Sequence, residues 1–482
     1  MTRLLLAISE ADAKASFRGG VFDEVLLWTR SGRSSFTGTL DPYLSGLGTV
    51  NSRNVDLVRI ALGVLAADRS VPRQAGGSDW NARDLELTVQ VDDPDAWQAH
   101  SVDLTRIVGF LSGDNWTFDF TAAPPIGEPA LHIDEQHHDR AVLLSGGADS
   151  AAGALLSAVE LGRDHSQALV SHFSATAISP VQQGVVAAIQ NLAPEVKQVH
   201  RQFHLNRGSK RLDDTPFRNE SSTRSRSLLF LALGLAVAER AGSALWIAEN
   251  GFASLNPPLG PDRRGSLSTH TTHPRFLGEL AGLMQDVGGR AQIENPFAAL
   301  TKGEMFRRVA DAVGIDAAST YLSATNSCSH TDARFSGVTG ASCGVCFGCL
   351  VRRAAFVVSG ITDQTTYLVN DTLDAITKTG WDGVTEDFAT PRNHIAIVGS
   401  TKSRRPLIKL AAGAIGFSDP ASPKPLLKFL NLGKDSLGNE KADEGYHQML
   451  RGVDLDCSGY AGAIGLHFNN AQNCSIENVK IT

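Results

Sequence analysis

Six residues, Ser145-Gly146-Gly147-Ala148-Asp149-Ser150, have the composition of an anion cradle. They follow the apolar run Ala141-Val142-Leu143-Leu144 and open the helical stretch Ala151 to Leu161. Glycines let the backbone approach an anion closely, and successive N–H groups at a helix start form a nest with the helix dipole behind it. The chemistry is phosphate binding. The lysine of the G-x-x-x-x-G-K-[ST] loop is missing, so backbone and hydroxyl groups must do the holding. A second cluster lies downstream: Cys328, then Cys343-Gly344-Val345-Cys346-Phe347-Gly348-Cys349, four of the six cysteines within 22 residues. C-x-x-C spacing lets thiolates converge on one ion, and four sulfurs complete a closed, tetrahedral zinc site. An iron–sulfur cluster is the competing reading. Disulfides are disfavoured: the segment Met1 to Ile8 is too short for a secretory leader, and a cytoplasmic location keeps thiols reduced.

The elements that must position these residues alternate. Strand candidates are Ala141–Leu144, Ala168–Phe173, Val196–Phe203, Leu245–Ala248 and Gln292–Glu294; helices are expected over Ala151–Leu161, Val181–Leu192, Thr223–Arg240 and Phe276–Val287. Such alternation implies a parallel sheet with ligands beyond the carboxyl ends of its strands. The glycine turn, Ser171-His172-Phe173-Ser174 and Glu249-Asn250-Gly251 should therefore line one crevice.

Taken together, SGGADS, Cys328, CGVCFGC and the following Leu350-Val351-Arg352-Arg353 resemble the 7-cyano-7-deazaguanine synthase (QueC) family of PP-loop ATP pyrophosphatases. Arg224-Ser225-Arg226-Ser227-Leu228-Leu229-Phe230 is similar to that family's arginine-bearing helix start, and Asn295-Pro296-Phe297 through Leu300-Thr301-Lys302-Gly303-Glu304 to its P-x-x-x-L-T-K-x-E segment. The resemblance covers about Arg140 to Asp371. It implies an α/β fold with a parallel-sheet PP-loop core (adenine nucleotide α-hydrolase-like) over 140–371; outside that core the residue patterns predict an N-terminal α+β domain over 1–120, a linker over 121–139 and a β-rich tail over 372–482.

The resemblance also implies the chemistry. ATP and Mg²⁺ activate a 7-carboxy-7-deazaguanine-like carboxylate as an acyl-adenylate, releasing pyrophosphate, and ammonia then gives an amide; a second ATP-driven step gives the nitrile. On this reading Gly146, Gly147 and Ala148 present N–H groups to pyrophosphate, Ser145 and Ser150 add hydroxyls, and Asp149 holds Mg²⁺ or orders the loop. Arg224 and Arg226 bind phosphate, Lys302 and Arg226 neutralise its charge, and Cys328, Cys343, Cys346 and Cys349 take zinc. The tyrosine-glycine-proline pattern of a standard synthase is absent, and Thr269-His270-Thr271-Thr272-His273-Pro274 stands in that region. His270 and His273 offer a metal pair or, more simply, hydrogen-bonding loop residues. With the extra N-terminal part, the chain resembles the QueC-like component (QatC) of Qat-type anti-phage systems, which implies a protein acceptor or other defence-system components as partners.

Composition bounds the alternatives. A hydrophobic fraction of 42% with 20% charged residues describes an ordinary globular protein, and no apolar run reaches membrane-spanning length; the longest, Leu228 to Ala238, reads as a buried helix. A net charge of −7 argues against a broad nucleic-acid surface and hence against a tRNA-modifying PP-loop enzyme. Arg201, Arg207, Lys210, Arg211, Arg218, Arg224 and Arg226 nevertheless crowd one region. A non-catalytic nucleotide-binding scaffold is the other alternative. In the N-terminal part, Leu57, Ala61, Val64 and Leu65 recur at helical spacing, Asp84–Val91 alternates as a strand, and Trp80 and Trp116 are packing or recognition aromatics. In the tail, the segments 452–456, 462–468 and 475–481 repeat an apolar position (Val453, Ile464, Ile476) every 11 or 12 residues, like rungs of a right-handed parallel β-helix. The pattern stops at Thr482, which predicts a fused or truncated tail too short to form a lyase groove; an ordinary β-rich extension is the alternative.

Overall fold

The computed structural model describes residues 1–29, 32–38, 50–73, 82–124, 137–173, 178–220, 224–256, 270–328, 341–344, 346–368, 396–398, 407–410, 414, 417–429, 445–446, 449–451, 453–468, 471–472 and 475–482. Trp80, Ser174, Thr223, Thr269, Val345 and most of the 121–139 segment lie outside them. Met1–Tyr367 forms one compact unit and Leu368–Thr482 another. Among the described residues no helix is long and apolar enough to cross a membrane.

The first unit holds two sheets. In chain order the N-terminal elements are β1 (Thr2–Ala7), α1 (Glu10–Gly19), β2 (Glu24–Leu27), α2 (Ser52–Ser70), β3 (Asp84–Val91), α3 (Pro94–Ala99), α4 (Ser101–Ser112) and β4 (Asn115–Ala122). Their strands form a four-stranded sheet in the order β2-β1-β3-β4. Every pairing is parallel, with Leu4 opposite Glu24 and Leu87, and Leu87 opposite Phe118. The connectivity is thus α/β, where alternation within Asp84–Val91 predicts α+β. The reason is that β3 is covered on both faces: five consecutive residues from Leu87 to Val91 are buried, polar Thr88 and Gln90 included. Trp116 is a core residue, its Nε1 donating to Ser112 Oγ at 2.8 Å.

The second sheet follows: β5 (Arg140–Leu143), α5 (Ala148–Leu161), β6 (Ser166–His172), α6 (Ile178–Leu192), β7 (Lys197–Phe203), α7 (Arg226–Ala241), β8 (Leu245–Trp246), α8 (Gly251–Leu255), α9 (Pro274–Asp286), β9 (Ile293–Glu294), α10 (Lys302–Val313), α11 (Ile315–Ser323) and α12 (Phe347–Ser359). The order is β7-β6-β5-β8-β9, all parallel. The chain leaves β5 toward β6 on one side and later returns to pair β8 on the other, so the switch point lies between β5 and β8. A crevice beyond their carboxyl ends is the expected ligand site.

Helix α7 is apolar nearly all round because it is buried on two sides, against β5 and against α2. Its N-terminus is capped by the N-terminal half of the chain. Asp68 Oδ2 accepts from the Arg224 N–H (2.8 Å), the Ser225 N–H (3.0 Å) and Ser225 Oγ (2.8 Å). Asp68 is in turn held by Arg83, which also grips Asp114 through Nη2 at 2.6 Å. At the other end of α2, Asn54 exchanges hydrogen bonds with the backbone of Arg290 at 2.8 and 3.0 Å.

Among its described residues the second unit carries ten short strands: β10 (Ala396–Val398), β11 (Leu407–Lys409), β12 (Lys424–Phe429), β13 (Gly445–Tyr446), β14 (Met449–Arg451), β15 (Asp454–Asp456), β16 (Ala463–Phe468), β17 (Ala471–Gln472), β18 (Ser475–Glu477) and β19 (Lys480–Ile481). They stack in four parallel ladders, β10-β14-β18, β11-β15-β19, β12-β16 and β13-β17. Met449 pairs with Ser475 and Asp454 with Lys480, a coil of 26 residues. The 11- or 12-residue recurrence is therefore not the rung period: β15, β16 and β18 lie in three different ladders. Leu450, Val453 and Leu455 form a small core.

Candidate active site

The glycine turn sits at the switch point. Gly146 has φ +90°, a left-handed value that favours glycine, and an added Cβ would lie 3.3 Å from the Gln182 side chain. Gly147 is the N-cap of α5 and offers no side chain to its first turn, so neighbouring hydroxyls serve instead: the Gly147 N–H donates to Ser145 Oγ at 3.3 Å and the Ala148 N–H to Ser327 Oγ at 3.2 Å. Ser150 Oγ donates to the Gly147 carbonyl at 3.0 Å and accepts from the Ser145 N–H at 3.1 Å, while the Ser145 and Ser150 hydroxyls lie 2.9 Å apart. Gln182 Nε2 donates to the Ser145 carbonyl at 3.2 Å.

Asp149 is buried beside the turn. Its Oδ2 accepts from Lys302 Nζ at 2.7 Å and from Asn250 Nδ2 at 3.0 Å. Lys302 is brought there by the start of α10, where Thr301 and Glu304 form a capping box. Burial pushes the Asp149 pKa up, but the Lys302 charge and the surrounding hydrogen bonds outweigh it and hold the group below its ordinary value. The neighbouring Glu249 goes the other way: burial first, then the Asp149 charge, raise it well above its ordinary value. Among the described residues Asp149 Oδ1 is buried with no partner at hydrogen-bonding distance. Two adjacent carboxyls, Asp149 buried and Glu249 half-buried, and an orphaned oxygen fit a divalent cation, which would replace the proton that otherwise holds such a pair together. Asn295, from the Asn295-Pro296-Phe297 segment, fixes Glu249 by donating from Nδ2 to its carbonyl at 2.9 Å.

Two cavities meet here. One, of about 440 Å³, is lined by the turn, Asp149, Lys302, His172 and Ser327. The other, of about 580 Å³, extends toward Leu65 and Arg69 of α2. Both are bounded by Ser145, Ser150, Arg226, Phe230, Ala248 and Glu249. Arg226 is exposed to this interior yet surrounded by protein, and burial followed by the charge of Arg69 lowers its pKa.

The four cysteines converge. The sulfurs of Cys328, Cys343, Cys346 and Cys349 all lie within 4.8 Å of one another, with Cys343–Cys349 and Cys346–Cys328 each at 3.9 Å. A tetrahedral ion with metal–sulfur bonds near 2.3 Å requires sulfur separations of about 3.8 Å, so the set fits one such ion. A polynuclear cluster, whose irons each take their own thiolates, spreads its sulfurs further apart. Buried Arg352 supports the approach to Cys328 by donating to the carbonyls of Leu322, Ser323 and Thr325 at 2.7–2.9 Å.

No family profile matches the chain. It is similar to the 7-cyano-7-deazaguanine synthases of Syntrophobacter fumaroxidans (32% identical over 148 residues, 30% of this chain and 55% of the relative) and Cupriavidus taiwanensis (32% over 145 residues, 30% and 56%). Over these alignments the chain spans about half the length of the relatives. The synthase of Thiobacillus denitrificans is 30% identical over 240 residues, 47% of this chain and 96% of the relative. The chain belongs to the 7-cyano-7-deazaguanine synthase family.

Within this synthase-family chain, Ser145 to Ser150, Arg226 and Lys302 come together around the two cavities. Arg224 lines the larger one, but its Nη1 is donated to the Ser112 carbonyl at 3.2 Å, and burial lowers its pKa to about 10. His270 and His273 gain no third ligand among the described residues: His273 caps α9, and His270 packs on Phe110 with ring centroids 4.3 Å apart and planes tilted by 32°. The roles of Asp68 and Ser327 escape sequence reading, since each acts on an element distant in the chain. Glu249 and Asn250 are legible only as residues at a strand end.

Proposed function

We propose that the chain is a cytoplasmic, ATP-dependent enzyme that adenylates a carboxylate of the 7-carboxy-7-deazaguanine class and forms an amide or nitrile, in anti-phage defence. The observation that carries this reading is the Asp149–Lys302 ion pair beside a lysine-free glycine turn, with a second cavity opening from the same residues. The substrate carboxylate attacks the α-phosphorus of ATP, the bond to pyrophosphate breaks, and an acyl-adenylate forms. Ammonia then displaces AMP, giving the amide and releasing a proton; a second adenylation, on the amide oxygen, lets AMP leave as the nitrile forms.

The Ser145 and Ser150 hydroxyls hold the leaving pyrophosphate, joined by the Gly147 and Ala148 amides once these exchange their bonds to Ser145 and Ser327 for phosphate oxygens. Lys302 and Arg226 offset its developing charge. Mg²⁺ held by Asp149, with Glu249 beside it, would supply further charge neutralisation. Zinc on the four thiolates is structural, because a closed Cys₄ set leaves no position for substrate. A protein carrying an amine is a second class of acceptor, and a net charge of −7 does not favour nucleic acid.

The test is incubation with ATP, Mg²⁺ and 7-carboxy-7-deazaguanine, with and without candidate partner proteins, read by mass spectrometry. AMP, pyrophosphate and the amide or nitrile are expected; a mass gain on a protein identifies a macromolecular acceptor. ADP and orthophosphate, or ATP binding without turnover, would refute the reading.

A further inference from the structure

We propose that Arg69, on α2 and outside the stretch that carries the family motifs, is a specificity-determining residue that binds the anionic group of the carbon substrate in the larger cavity. The inference rests on the adenylation reading above and names the group that selects its substrate.

The larger cavity combines an apolar slot with a cationic end. Leu65, Phe230, Leu231 and Ile247 supply walls suited to a flat heterocycle. Arg69, Arg224 and Arg226 supply three guanidiniums, against one carboxyl side chain, Glu249, whose ionisation is suppressed by burial and by Asp149. Arg224 is committed to the Ser112 carbonyl. Arg69 differs: its carbonyl accepts from the Glu220 N–H, but among the described residues its guanidinium makes no hydrogen bond or ion pair. The nearest charge acting favourably on it is that of Asp68, whose oxygens are already taken by Arg83 and the start of α7.

Arg69 and Arg226 act on each other as like charges, and Arg226 borders both cavities. An anion between them relieves that repulsion and comes to rest at the junction with the nucleotide cavity. A planar guanidinium fork matches a carboxylate in two parallel hydrogen bonds, which a neutral analogue cannot replace. Arg69 thereby strengthens binding of the carboxylate in the first step, while the amide of the second step is held by the apolar walls without this contact.

The experiment compares wild type with Arg69→Gln, using 7-carboxy-7-deazaguanine and its uncharged carboxamide as probes. Calorimetric titration of the acid measures binding whether or not turnover occurs, and acid-dependent ATP–pyrophosphate exchange measures its KM. Arg69→Gln should weaken acid binding and raise its KM at least about tenfold, leaving the KM for ATP and for the carboxamide within about twofold. Arg69→Lys should recover part of the loss. Equal acid affinity in wild type and variant, or equal losses for acid and carboxamide, would overturn the inference. Wild type that exchanges pyrophosphate with an unchanged Arg69→Gln KM removes this role and leaves the adenylation reading intact. Wild type that does not bind the acid removes both.

Discussion

Ser327 accepts the backbone N–H of Ala148 through its hydroxyl at 3.2 Å, one residue before Cys328 of the sulfur cluster and at the first position of α5. Its neighbour Asn326 donates its own N–H to the Gly146 carbonyl at 2.9 Å and accepts from the Cys328 N–H through Oδ1 at 2.8 Å. The cysteine cluster and the phosphate turn are thus joined by three consecutive residues. Stripping the metal, or Cys343→Ser, should raise the KM for ATP about tenfold, the range in which supporting contacts act. Pyrophosphate release at varied ATP, with metal content checked by atomic absorption, is the measurement. An unchanged KM in metal-free protein would contradict the coupling.

Asp149→Asn keeps the shape of the side chain but leaves Lys302 facing a neutral group in a buried place. Removing one partner of a buried pair costs about 3–5 kcal/mol, and loss of charge stabilisation at the phosphates should lower AMP formation at least about 100-fold. Circular dichroism and product assays separate the two effects. A variant that folds and keeps its rate would detach Asp149 from the chemistry.

Gly153 lies inside α5, where alanine would ordinarily stabilise a helix by about 1 kcal/mol. Here an added Cβ would sit 2.0 Å from the Ala248 Cβ and 3.1 Å from the Phe297 ring. Overpacking of this kind costs about 1–3 kcal/mol and should outweigh the propensity gain. Gly153→Ala is therefore expected to lower the midpoint of denaturant unfolding, and the shift at Ala248 to displace Glu249 and reduce activity. An unchanged or higher midpoint would show that α5 does not press on the end of β8.

His138, His172 and His200 are each lowered to about 4, chiefly by burial, with Arg201 and Lys197 adding to the effect at His138. The folded chain keeps these rings neutral while the unfolded chain protonates them below about 6.5, so stability is complete above that pH and lost as pH falls toward 4. Each contributes a slope of about 1.4 kcal/mol per pH unit in that window. Thermal unfolding between pH 7.5 and 4.5 measures it. His200→Gln, which retains a partner for Ser171 Oγ, should reduce the slope by one proton; a flat profile would place these rings in water.

What the sequence made legible was local. The turn, the cysteine quartet and Lys302 could be read because their partners' types are set by nearby spacing or by the family resemblance. Asp68 could not: it caps a helix 156 residues away, and an aspartate ending an apolar helix carries no sign of that task. Arg69 is equally silent, since its meaning comes from a wall that α2 completes only after the two sheets pack. In the N-terminal sheet, alternation along Asp84–Val91 suggests a half-exposed strand, whereas its polar positions Thr88 and Gln90 are buried as well. In the tail, strands of similar length on successive faces imitate a shorter repeat than the 26-residue coil that register fixes.

The double burial of α7 has a practical corollary. Cutting the chain to the length of an ordinary synthase would strip α2 from the outer face of α7, bare a stripe of leucines and alanines to water, and leave the amides at its start without the Asp68 carboxylate. Such a fragment should aggregate when expressed, so a workable shortened chain must keep α2.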